Sequence, residues 1–176
     1  MLTITLLGTA ATMPLPDRAL TAAVAECGGH SLLFDCGEGT QTAARRAGVN
    51  LMKMDAICLT HYHGDHTGQM LRIRPDIPLY AGALAKDIMH LSAERGGQKN
   101  EALCRRIETI QAFSPGKPFL IGDIQITPFC IDHSACDSYL FLIEADGKRL
   151  LYTGDFRLHG VRGNVMDKIL DRRIGK

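Results

Sequence analysis

The chain has almost no net charge, no long apolar run and no paired-cysteine motif, and each absence removes a class of protein. Twenty Lys and Arg stand against 19 Asp and Glu, a formal net charge of +1. That excludes a broad polyelectrolyte footprint and leaves room only for a local basic patch. No apolar stretch approaches the roughly 18 residues that a membrane helix needs, so no membrane partner is expected. Met1-Leu2-Thr3-Ile4 lacks a basic start and runs straight into strand-like sequence, unlike a secretory signal. The six cysteines (Cys27, Cys36, Cys58, Cys104, Cys130 and Cys136) contain no CxxC pair, and several lie in apolar runs. They read as reduced thiols and not as a disulfide framework, which makes a cytoplasmic location the expectation. No repeat, low-complexity stretch or linker interrupts the chain. What is present is ordinary for a soluble globular protein: 176 residues, 45% hydrophobic and 22% charged, enough for one core. One domain over 1–176 is expected.

Short β-rich runs alternate with helical spacing. Leu2–Leu7, Leu20–Ala25, Ser31–Asp35, Ala56–Thr60 and Pro78–Ala81 read as strands, with a Gly28-Gly29 turn between the second and third. Lys117–Ile121 with Ile124–Cys130, and Ser138–Glu144 with Lys148–Thr153, read as hairpins; Asp146-Gly147 is a strong turn signal for the latter. Glu38–Ala47, closed by Gly48, and Leu84–Glu94, Glu101–Ile110 and Val165–Arg173 have helical spacing. The mixture predicts an α/β protein with helices covering sheet layers.

The chemistry concentrates at residues 61–68, His61-Tyr62-His63-Gly64-Asp65-His66-Thr67-Gly68, directly after an apolar strand. Imidazoles and a carboxylate at this density are what a divalent metal site needs. Alternate residues of an extended segment share a face, so His61 and His63 can chelate one ion. Gly64 lets the chain turn, which frees Asp65 and His66 to reach a second. Two ions roughly 3.5–4 Å apart form an established arrangement for phosphoester hydrolysis.

This run resembles the signature motif of the metallo-β-lactamase superfamily of hydrolases. The resemblance implies an αβ/βα sandwich, two mixed sheets flanked by helices. It implies that His61, His63 and a later His hold metal one. Asp65, His66 and another later His hold metal two, with a later Asp bridging. Zinc is the default ion and manganese the alternative. His133, after a strand in Pro128–Ser134, fits the first later His, against a structural strand-end reading. Asp155, after the apolar Leu150–Thr153 run, fits the bridging carboxylate, against a turn or N-cap reading. Asp35, in Phe34-Asp35-Cys36-Gly37-Glu38-Gly39, fits a residue that orients ligands by hydrogen bonds, and it could equally cap a helix. Gly37 and Gly39 permit close backbone approach. His30 and His90 read as surface residues. His159 is a substitute ligand, and Cys130 and Cys136, flanking His133, offer thiols.

Within the superfamily, residues 1–60 resemble ribonuclease Z through Leu6–Thr9, Met13–Arg18 and Phe34–Gln41. Residues 61–176 resemble ribonuclease J and related β-CASP-type hydrolases through Asp132–Ser134, Asp137–Tyr139 and Tyr152–Gly160. Both resemblances imply a metal-dependent phosphodiesterase or ribonuclease acting on RNA through a hydroxide activated on the metals, with Asp65 as its orienting group and proton acceptor. The hairpin between His133 and Asp155 leaves no room for the tRNA-gripping arm of ribonuclease Z. No residue matches the closing His of metal two, so the second site is expected to be weak and the fold C-terminally incomplete, with a sheet edge that a homodimer could cover. Arg157, Arg162, Arg172, Arg173 and Lys176 could attract a polyanion. Thioester, lactone or β-lactam hydrolysis on the same scaffold is the alternative activity, and an inactive metal-binding fragment the alternative to any activity.

Overall fold

Apolar runs separated by glycine turns build two sheets. The structure, a computed structural model, describes residues 1–170. The first sheet has seven strands: β1 (Thr3–Ala10), β2 (Ala19–Leu20), β3 (Ala22–Cys27), β4 (His30–Phe34), β5 (Ala56–Cys58), β6 (Leu79–Gly82) and β7 (Gln111–Phe113). Their order is β2-β1-β3-β4-β5-β6-β7. It is mixed: β1–β3–β4 run antiparallel, and β4–β5–β6–β7 run parallel. The second sheet, β8 (Phe119–Ile121), β9 (Ile124–Ile131), β10 (Ser138–Ala145) and β11 (Lys148–Tyr152), is antiparallel throughout, in the order β11-β10-β9-β8. The expected hairpins are both present. Asp146 and Gly147 have φ of 52° and 67°, the pair of positive values that a tight I′-type turn requires.

Period-two alternation decides the layering. On β4 and β5, Leu33 and Ile57 face a core shared with Met54, Met89, Ala93 and Ile107. Their neighbours Leu32, Phe34, Ala56 and Cys58 face the other way, onto Ile124, Ile126, Phe141 and Ile143 of the second sheet. The first core lies under α1 (Thr40–Arg46), α3 (Ala83–Glu94) and α4 (Glu101–Glu108). On the outer face of the second sheet, Ile131 and Leu140 pack on Met166 and Ile169 of α5 (Val165–Ile169). The order of layers is therefore helices, sheet, sheet, helix. Each fully buried Leu, Ile or Phe in these cores contributes about 1.5–3 kcal/mol of transfer free energy.

Three features escaped the sequence pattern. Strand β5 stops at Cys58, although Leu59 N–H still bonds to the Tyr80 carbonyl at 2.8 Å. Strand β7 is only three residues long, too short for a periodic signal. Gly64–Thr67 is a single helical turn, α2, not an open loop. The last helix was expected to reach Arg173, and its residues beyond 170 lie outside the described residues. The carboxyl ends of β4, β5, β9 and β11 gather at one end of the sandwich, where Tyr139 N–H bonds to the Thr60 carbonyl at 2.9 Å and ties the two sheets together. Crevices beyond the carboxyl ends of strands are where α/β folds place their chemistry.

Candidate metal centre

Leaving β5, the chain runs extended through His61 to His63 and then turns into α2. The His63 carbonyl accepts from His66 N–H at 3.0 Å, Thr67 N–H at 3.1 Å and the Thr67 hydroxyl at 3.1 Å. Three donors on one carbonyl fix the turn that separates His61 and His63 from Asp65 and His66. The β4–α1 loop is pressed against this turn. Cys36 N–H bonds to the His66 carbonyl at 2.7 Å, and Gln69 N–H bonds to the Cys36 carbonyl at 2.9 Å. Gly37 makes the approach possible, since a Cβ there would lie 2.1 Å from the Asp65 carbonyl oxygen.

Among the described residues two overlapping groups result: His61 with His63 and His133, and His61 with His66 and Asp155, the possible ligand atoms of each group within 4.8 Å of one another. Asp155 Oδ2 lies 3.5 Å from His66 Nε2 and 3.9 Å from His133 Nε2, so it reaches from the second group toward the first. The His61 ring centroid is 4.7 Å from that of His63, 4.0 Å from His66 and 4.8 Å from His133. Asp65 stands outside both groups. Its Oδ2 accepts from Thr12 N–H at 3.0 Å and lies 3.8 Å from His66 Nε2. His30 pairs with Asp55, and His90 lies beside Glu94 and Glu108, away from the site. His159 belongs to neither group. Nor do the thiols: all six cysteines are free, and Cys130 Sγ instead accepts from the Arg162 guanidinium at 2.7 Å.

Asp35 organises the buried side. Its carboxylate accepts from Thr60 N–H at 2.8 Å, His66 Nδ1 at 2.8 Å and the Tyr152 hydroxyl at 3.0 Å. On the open side, Asp132 accepts from Arg162 N–H at 2.7 Å and from Arg157 Nε, anchoring the loop that follows Asp155. Two expected polyanion contacts, Arg157 and Arg162, are thus engaged within the fold. Arg172, Arg173 and Lys176 lie outside the described residues.

The electrostatics calls for positive charge between the carboxylates. Burial alone would lower His66, but the Asp155 carboxylate 3.5 Å from Nε2 and the Asp35 carboxylate bonded at Nδ1 outweigh it and raise His66 to about 10. The nearby His66 imidazole in turn holds the Asp155 carboxyl below its usual range. Burial, then the neighbouring imidazoles, press His61 down to about 2. Burial also lowers His133. Divalent cations fit this donor set on a second ground. The Nε2 atoms of His61 and His66 are buried with no hydrogen-bond partner, a costly arrangement unless something binds them.

The family described as the beta-lactamase superfamily domain matches residues 30–169, and the chain belongs to it. The fold is the metallo-β-lactamase fold: the metallo-β-lactamase fold protein YhfI of Bacillus subtilis superposes with a TM-score of 0.69 at 22% identity, covering 88% of this chain and 63% of that one. The short form of human tRNase Z superposes with a TM-score of 0.66 at 24% identity, covering 97% of this chain and 63% of that one. In sequence, the chain is 34% identical over 158 residues to a ribonuclease Z of Lachnoclostridium phytofermentans, covering 84% of this chain. A match of that length extends well past residue 60, so the likeness to ribonuclease Z includes the histidine run. The chain spans about half, 51%, of that relative's length.

Thr60, Tyr152 and Thr12 carry contacts that motif reading missed. Thr60 and Tyr152 look like ordinary strand residues in sequence. Thr12 presents its N–H to Asp65 from a backbone with φ of 55°, a conformation that no local pattern signals.

Proposed function

We propose that the chain is a metal-dependent phosphodiesterase acting on RNA, of the ribonuclease Z kind, in the cytoplasm. His61, His63 and His133 would hold one divalent ion, zinc by preference. His61 has only Nε2 free, and one nitrogen serves one ion. A second ion therefore falls to His66, Asp155 and Asp65, with Asp155 shared. Three protein ligands make this the weaker site. The observation that carries the reading is the convergence of five side chains, two of them histidines whose buried Nε2 atoms have no partner.

When bound, such ions acidify water from a pKa of about 15.7 to roughly 7 and neutralise charge on phosphate oxygens. The protein's own groups do the rest. Asp35 holds the Nδ1 proton of His66, which makes Nε2 the nitrogen that an ion would take in exchange for a proton. Thr12 N–H fixes the Asp65 carboxylate beside His66, where it can accept a proton from water. The Asp155 and His133 side chains, 33% and 17% exposed, leave the site open to a substrate. The ribonuclease Z name of the sequence relatives favours an RNA phosphodiester over other esters.

The test is a metal titration followed by a panel of bis-aryl phosphate, a short RNA, a thioester and nitrocefin, with His63→Ala as control. Two zinc ions per chain and phosphodiester turnover abolished by His63→Ala are expected. Turnover of only the thioester or nitrocefin would overturn the substrate class. Metal binding without any turnover would leave a metal-binding fragment.

A further inference from the structure

Two histidines of the site share one carboxylate, one directly and one through a hydroxyl that the motif does not include. Thr60 Oγ1 lies 3.0 and 2.9 Å from the two Asp35 oxygens and 3.0 Å from His61 Nδ1. A threonine hydroxyl has one proton to give and lone pairs with which to accept, whereas a carboxylate only accepts. The Thr60 proton therefore goes to Asp35, which already takes Thr60 N–H, His66 Nδ1 and the Tyr152 hydroxyl. Only a lone pair then remains toward His61. That contact is a hydrogen bond only if His61 Nδ1 carries the ring proton, and so Nε2 is left bare. The buried His61 Nε2 indeed has no protein partner.

We infer that Thr60 is a positioning residue: its hydroxyl relays the Asp35 carboxylate to His61 and fixes the tautomer in which His61 Nε2 can ligate. One carboxylate thus sets the ligating nitrogen of His66 directly and that of His61 through one intermediate. The inference rests on the metal site proposed above and adds a residue that is not itself a ligand. Serine at position 60 would keep the relay. Valine would keep the shape and lose it.

The experiment reads the His61 ring-nitrogen chemical shifts in the ¹⁵N-labelled, metal-free chain at neutral pH. Zinc titration calorimetry is run on the same samples. Wild type and Thr60→Ser are expected to show Nδ1 protonated and Nε2 bare. Thr60→Val is expected to populate the Nε2–H tautomer and to bind zinc about tenfold more weakly. Nε2–H in the wild-type chain overturns the relay, and this spectrum decides even if the valine variant does not fold. A folded Thr60→Val chain that keeps either the wild-type tautomer or the wild-type zinc affinity also overturns it. If zinc fails to bind wild type, the metal reading falls, and the ring-nitrogen assignment still decides the relay.

Discussion

The two walls of the site are held by different physics. Asp35 after β4, His61 after β5 and His66 on α2 are 0–1% exposed. His133 and Asp155, from loops of the second sheet, have side chains 17% and 33% exposed. The first wall is a buried hydrogen-bond network centred on one carboxylate. The second is steadied where the buried Asp132 grips the partly exposed Arg157 side chain and the Arg162 backbone. In a low-dielectric interior each bond is strong and each loss is expensive. At the surface, water and salt weaken the same kinds of contact. Folding therefore fixes the first wall, while the second remains sensitive to solution conditions.

That contrast breaks most easily at Asp35. Asp35→Ala leaves the Thr60 N–H and hydroxyl, His66 Nδ1 and the Tyr152 hydroxyl without their acceptor. The expected loss is about 3–5 kcal/mol in urea denaturation, together with zinc binding. A loss below about 1 kcal/mol, the worth of one ordinary hydrogen bond, would mean that the first wall is no firmer than the second. Gly154→Ala comes next. Gly154 has φ of 54°, and a Cβ there would lie 2.8 Å from Thr60 Cγ2, so the two walls meet at this point. The expected cost is about 1–3 kcal/mol from backbone strain, with weaker zinc binding as Asp155 is displaced. Unchanged stability and affinity would show that the walls are not coupled there.

How much of this could be read beforehand follows the same division. The cluster of donor side chains at 61–66 was legible because such residue types at close spacing stand out, and the approach of His133 and Asp155 to it because each follows an apolar strand. The strands and hairpins were legible from alternation and from Gly28-Gly29 and Asp146-Gly147. Strand β7 was not, because three residues carry no period. Nor were the roles of Thr60 and Tyr152. Their side chains reach Asp35 across 25 and 117 residues of sequence, and only the folded sheets create those contacts. The hold of Thr12 on Asp65 likewise depends on tertiary structure that propensity does not encode.

Tyr152→Phe sharpens the first wall from within. The variant removes one donor from Asp35 and leaves three in place. Burial and the Asp35 charge keep the Tyr152 hydroxyl well above its usual range, so it remains a donor. Its loss is expected to cost about 1 kcal/mol by denaturation and to leave zinc affinity nearly unchanged. A large drop in affinity would instead place Tyr152 beside Thr60 among the residues that set the ligands.

The smallest effect is expected at the second wall, from Asp132→Asn, and its dependence on conditions is more telling than its size. The Arg162 backbone N–H, then the Arg157 guanidinium, hold the Asp132 carboxyl below its usual range. A carboxyl lowered in the folded state adds stability above its unfolded pKa of about 3.9, and loses it as pH falls through the folded value. The difference between wild type and Asp132→Asn should therefore be flat from neutral pH to about pH 5, and should shrink below about pH 4. It should also shrink in about 1 M salt, because the partly exposed Arg157 guanidinium is open to screening. The Asp35→Ala deficit, lying in the interior, should hardly respond to salt. Urea melts of both variants at low and high salt test the comparison directly. If the Asp132 effect matches that of Asp35 in size and ignores salt, the two walls are held alike.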